Sequence, residues 1–119
     1  MPLMSKLFAG DQRLQSCLVQ DSAHVTPGSK GAFVQKIQTA LLVLDKVSVA
    51  ASELKTETYG PSTADAIRRY KAARNIINFS YQKTADDIVG KMTIQRMDQE
   101  MCEAERRHHH VPPIMPTFT

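Results

Sequence analysis

A glycine turn running directly into an apolar stripe of helical period occurs three times in this chain, and that recurrence limits what it can fold into. Gly60-Pro61-Ser62-Thr63 leads into Ala66, Ile67, Tyr70 and Ala73, at the three- and four-residue steps that give a helix one apolar face. Gly28-Ser29-Lys30-Gly31 leads into Val34, Ile37, Leu41 and Leu44, and Gly90-Lys91-Met92-Thr93 into Ile94, Met97 and Met101. Gly28, Gly60 and Gly90 lie roughly 30 residues apart, a spacing at which supersecondary units repeat. No such helix can bury its stripe alone, so the three must pack on one another.

The second start has the richest local chemistry. Gly60 is expected to take a backbone conformation closed to other residues. Pro61 fits a first helical turn, where its missing amide costs nothing. Ser62, Thr63 and Asp65 bring oxygen acceptors to the unpaired amides of that turn, and the Ser62/Asp65 pair resembles a capping box. Arg68, Arg69 and Lys71 fall off the apolar stripe and are expected to face water.

Taken in order, residues 1–9 read as a flexible tail. A short extra helix follows over 11–19, capped by Asp11, with Leu14, Cys17 and Leu18 inward. The first long helix spans 32–45. Residues 47–57 are polar, with a short helical turn at Ser52-Glu53-Leu54-Lys55. The second long helix spans 62–75. Ile76, Ile77, Phe79 and Tyr81 suggest short extended pieces, an ambiguous reading for so brief a run. Asp86 to Gly90 reads as a turn plugged by Ile88 and Val89. The third long helix spans 91–106, with Arg106 and Arg107 suiting its negative end. The last stretch has three prolines in twelve residues, HHHVPPIMPTFT, and is expected to stay disordered. The expectation is therefore all-α: one compact three-helix domain over 10–106, with tails at 1–9 and 107–119.

Composition narrows the function classes. A chain of 119 residues fits one domain. The net charge of +3 arises largely between residues 61 and 90, where five Lys/Arg face three Asp/Glu. That favours an acidic partner mildly, whereas nucleic-acid binding calls for a denser basic stripe. With no Trp and seven aromatics, the chain lacks the material for a base-stacking platform. Cys17 and Cys102 lie far apart without metal-ligand spacing and read as reduced thiols. No secretory leader is recognisable, because Asp11 and Arg13 interrupt the start, and no apolar run is long enough to span a membrane.

Three motifs in order carry a family resemblance. Val34-Gln-Lys-Ile37-Gln38-x-x-Leu41, Tyr59-Gly60-Pro-Ser-Thr63-Ala-x-Ala66-Ile67-x-x-Tyr70 and Asp86-Asp87-Ile-Val89-Gly90-Lys-Met-Thr93 resemble the peptidoglycan-binding-domain-like family. Its pattern has a V-x-x-L-Q helix, a Y/F-G-x-x-T turn and a D-G-x-V-G-x-x-T turn. The likeness covers about residues 28–100. It departs where the usual Phe-Gln is Tyr70-Lys71, where Asp87 replaces a glycine, and in the long connections 47–57 and 75–85. The resemblance implies a small three-helix, non-catalytic module of bacterial origin that attaches something to cell wall. Lacking a recognisable leader, it would act at the wall only if exported from the cytoplasm by another route.

No catalytic constellation stands out. His24 reads as a loop histidine and His108 to His110 as a tail or tag, since adjacent residues do not converge on one metal. Asp86 and Asp87 read as turn residues, and Glu100, Glu103 and Glu105 as a solvated face. No enzyme activity, cofactor or metal is expected. The candidate ligand-binding residues are Tyr59, Gly60, Ser62, Thr63, Arg68, Arg69, Lys91 and Thr93. Amide-rich helix starts favour carboxylates, which stem peptides carry. Tyr59 is expected to be half exposed against a sugar, and Tyr70 to lie in the core. The partner is peptidoglycan stem peptide or glycan. The alternative is a protein-interaction adaptor on the same fold, serving a toxin, phage or secretion-system component. Neither nucleic acid nor membrane is expected as a partner.

Overall fold

Five helices follow one another among the residues that the computed structural model describes, 3–20, 23–76 and 86–109, with residues 108 and 109 described by backbone only. They are α1 (Gln12–Val19), α2 (Ala32–Asp45), α3 (Ala51–Thr56), α4 (Pro61–Ala73) and α5 (Lys91–His109). The described residues form no strand, only two isolated antiparallel bridges. The body is all-α. The extended pieces expected at Ile77, Phe79 and Tyr81, and the tail beyond residue 109, lie outside the described residues.

The apolar stripes meet as the spacing requires. Leu14, Val34, Ile37, Leu41, Ile67, Tyr70, Ile94 and Met97 are fully buried, and each large aliphatic removed from water contributes about 1.5–3 kcal/mol. α2 packs against α4 and α5, and α1 lies on α5. Asp11 caps α1 by accepting the Leu14 amide at 3.1 Å and also receives Lys36 at 3.0 Å. Ala73, expected on the stripe, is exposed in the last turn of α4.

The three glycine turns are sewn together at one end of the body. Val25, ahead of the first, exchanges two backbone hydrogen bonds with Val89, ahead of the third, at 2.8 and 3.0 Å. Gly28 donates to Tyr59 O, Tyr59 N to Ser29 O and Gly31 N to Glu57 O, all within 2.9 Å, which ties the first turn to the second. The hydroxyl of Tyr59 donates to the Asp87 carbonyl and joins the second to the third. The starts of α2, α4 and α5 therefore share one hydrogen-bonded platform.

The segment 3–9 departs from the expected loose tail. Leu3, Ser5 and Phe8 are buried. The Asp98 carboxylate accepts the Met4 and Ser5 amides at 2.8–3.1 Å, and Glu105 accepts those of Lys6 and Leu7. Two apolar side chains and two carboxylates of α5 hold this segment, a partnership that spans more than ninety residues of sequence.

Candidate functional site

The start of α4 is built differently from the sequence expectation. Gly60 is the N-cap, at φ −102° and ψ −168°, and no side chain of α4 caps its own first turn. The cap comes from α3: Glu53 accepts the Ser62 amide at 3.0 Å, the Thr63 amide at 2.9 Å and the Thr63 hydroxyl at 2.7 Å. The Ser62/Asp65 capping box does not form. Ser62 Oγ instead accepts the Ala50 amide at 2.9 Å, and Asp65 faces Arg69 at 3.2 Å.

This changes the reason for glycine at position 60. Its backbone angles are open to any residue; the requirement is space. A Cβ there would sit 2.6 Å from Glu53 Cδ and 2.7 Å from Oε2, contacts that real side chains do not make. Gly90 is less constrained, since a Cβ there would lie 3.1 Å from His24 Nε2, a tight approach that a small shift of the ring relieves.

Behind Glu53 lies a buried polar layer. Gln38 Nε2 donates to Thr63 Oγ1 and to the Thr58 carbonyl, both at 3.0 Å, while its fully buried Oε1 has no partner. Burial pushes the Glu53 carboxyl up, but hydrogen bonds from Thr63 and Ser62 outweigh it and hold the group below its ordinary value. The pocket therefore favours an anion.

The neighbouring third turn is also self-satisfied. Asp86 accepts the Ile88 amide at 3.1 Å, an Asx-type turn, and receives Lys71 Nζ. Lys71 also donates to the Ile88 carbonyl at 2.8 Å and is only 7% exposed, not solvated as expected. Its long stem carries the ammonium past the core to this turn. Asp87 pairs with Arg68 at 3.1 Å. Cys17 donates to the Val89 carbonyl at 3.2 Å, and burial above all pushes its thiol up to about 11.

Of the eight candidate binding residues, the structure brings Gly60, Ser62 and Thr63 together around Glu53 and sets Arg68 beside the third turn. Tyr59, expected half exposed, is 1% exposed, and burial raises its phenol. Thr63 and Thr93 are buried as well. Gly60 and Ser62 are partly covered, and Arg68, Arg69 and Lys91 are exposed. Arg68 and Arg69 both face carboxylates of the chain itself, Asp87 and Asp65.

Glu100, expected on a solvated face, is half-buried instead. It accepts Arg74 at 2.8 Å, Arg96 at 2.8 Å and the Tyr70 hydroxyl at 3.1 Å. Arg74 also reaches Asp45 at 2.7 Å and lies 3.6 Å over the Tyr70 ring. This cluster cross-links α2, α4 and α5 and offers nothing free to a ligand.

Among the described residues no group of His, Cys, Asp and Glu is arranged to hold a metal, and no helix is long and apolar enough to cross a membrane. The chain matches no family profile, no curated protein and no solved structure. The residues that sequence reasoning missed are Glu53 and Gln38. Gln38 belongs to the Val34–Leu41 motif, yet its role inside the second turn follows only from the packing. Nothing marked Glu53 among the polar residues of the connection.

Proposed function

We propose that this chain is a non-catalytic module that binds the acidic stem peptides of bacterial cell wall, on a peptidoglycan-binding-like arrangement of helices. One observation carries the reading: the three motif-bearing glycine turns meet on one platform, and the second presents a helix start whose amides and hydroxyl already hold a carboxylate. The motif residues Gln38, Tyr59 and Thr63 build that platform from within, and Thr93 is buried at the third helix start. Contact with ligand falls to the partly covered Gly60 and Ser62 and to the exposed cations Arg68, Arg69 and Lys91 around it. The test is co-sedimentation with purified sacculi at low salt. Native protein should pellet, and Arg68→Ala/Arg69→Ala should pellet several-fold less. No binding at low salt removes the reading.

A second reading, a protein-interaction adaptor on the same fold, is favoured by apolar side chains left outside. Leu42 is 53% and Val43 38% exposed, next to each other in the last turn of α2. An adaptor would recover a stoichiometric protein partner from native lysate, and Leu42→Ser/Val43→Ser would lose it.

A further inference from the structure

The six residues of α3 contribute a single buried residue, and it is the charged one, Glu53. Leu54 is only partly covered. The remaining ties of α3 are at its ends, where the Ala50 amide donates to Ser62 Oγ and the Glu57 carbonyl accepts the Gly31 amide, together with a long bond from Gln35 to the Leu54 carbonyl at 3.4 Å. Residues in left-handed conformation stand on both sides of the segment, Lys46 at φ 57° and Glu57 at φ 53°. A short helix normally docks by an apolar side chain; this one docks by a carboxylate in the first turn of its neighbour.

The site that receives the carboxylate is itself well formed. It has two amides at the start of a thirteen-residue helix, a buried hydroxyl, and room made by the missing Cβ of Gly60. The fully buried Gln38 amide stands behind it with Oε1 unpartnered, an acceptor that the Glu53 carboxylate cannot satisfy because it brings no donor. A ligand carrying a carboxylate with an N–H close by, such as a peptide terminus, would present both groups.

We propose that α3 is a latch: Glu53 fills from within the chain a carboxylate site at the start of α4, and an acidic peptide takes that site when α3 lifts away. The identity of the peptide rests on the cell-wall reading above; the latch does not. Exchange is isoelectric at the site, one carboxylate for another, so little electrostatic penalty opposes it. The contest is between a tethered group at high effective concentration and a free one. Native protein should therefore bind small carboxylates poorly, and removal of the tethered group should open the site.

The experiment is an NMR titration of the full-length chain with sodium acetate, against sodium chloride at matched ionic strength. In Glu53→Ala the Ser62 and Thr63 amides should shift and saturate with acetate and not with chloride. The urea midpoint of that variant should rise with acetate. In native protein the same shifts should be at least tenfold smaller at equal acetate. Glu53→Gln, which keeps a neutral acceptor and the fold, should respond between the two. If these amides in Glu53→Gln and Glu53→Ala answer chloride as they answer acetate, or if native protein answers acetate as strongly as the variants, the latch is overturned. A stem peptide ending in a free carboxylate should bind Glu53→Ala at least tenfold more tightly than native protein. Acetate binding without that gain would overturn the peptide assignment and with it the cell-wall reading, while the carboxylate site stands.

Discussion

Replacing Gly60 by alanine tests the geometry of the α4 start without touching a polar atom. The backbone at 60 accepts alanine, with φ −102° and ψ −168°. The new methyl would sit 2.6–2.9 Å from Cδ, Oε2 and Cγ of Glu53, so the carboxylate must withdraw. Withdrawal leaves the Ser62 and Thr63 amides and the Thr63 hydroxyl without their acceptor, and the last two are buried. A lost helix cap costs about 1 kcal/mol and a hydrogen bond to a charged group about 1.5–3 kcal/mol. Water reaching the Ser62 amide recovers part of this, so Gly60→Ala should destabilise by about 2–3 kcal/mol. The decisive comparison is a double-mutant cycle by urea unfolding. With Glu53→Ala already present there is nothing left to displace, and Gly60→Ala should then cost less than about 0.5 kcal/mol. Equal costs in both backgrounds would show that the methyl strains something other than the Glu53 carboxylate and would refute the argument.

Arg74→Ala should cost about 2–3 kcal/mol of unfolding free energy in urea, because it removes the cation shared by the half-buried carboxylates of Asp45 and Glu100, leaving Glu100 only Arg96 and the Tyr70 hydroxyl, and uncovers the Tyr70 ring; an effect under about 0.5 kcal/mol would mean water replaces it freely. Asp98→Ala should release the amino-terminal segment, exposing the bond after Lys6 to trypsin under conditions where native protein resists, as read by mass spectrometry; unchanged cleavage would show that Leu3 and Phe8 hold the segment unaided. The carboxyls of Glu53 and Glu100 are both held below the ordinary value of 4.5. A lowered folded value means that stability is fully present above the unfolded value and is lost as pH falls through the folded one. The urea midpoint should accordingly hold down to about pH 5 and then fall, with a shallower fall in Glu53→Ala; identical slopes would mean that Glu53 titrates as in the unfolded chain.

The long helices were legible because each carries its own period. Val34, Ile37 and Leu41, then Ile67 and Tyr70, then Ile94 and Met97, are all buried where the spacing places them, and Asp11 caps α1 as its position suggests. The glycine turns likewise stand at helix starts. What the sequence concealed is which side chain serves which turn. Glu53 sits in a polar connection with no period, and its partners lie nine and ten residues on, in another helix. Thr63 looked like a cap because hydroxyls usually are; here it points into a buried layer with Gln38. Lys71 and Glu100 looked solvated because charge and helical phase said so. Each is drawn inward by partners that no local pattern reveals: Asp86 for the lysine, Arg74 and Tyr70 for the glutamate. The anchoring of the amino-terminal segment is hidden for the same reason, since its holders Asp98 and Glu105 come from the far end of the chain.

The most direct measurement is an NMR titration of the native, full-length chain with muropeptide fragments at low salt. The account predicts saturable shifts at the Ser62 and Thr63 amides and around Arg68, Arg69 and Lys91, together with loss of the Glu53 carboxylate's contact with Thr63. Saturating fragment that leaves these positions unmoved would contradict it.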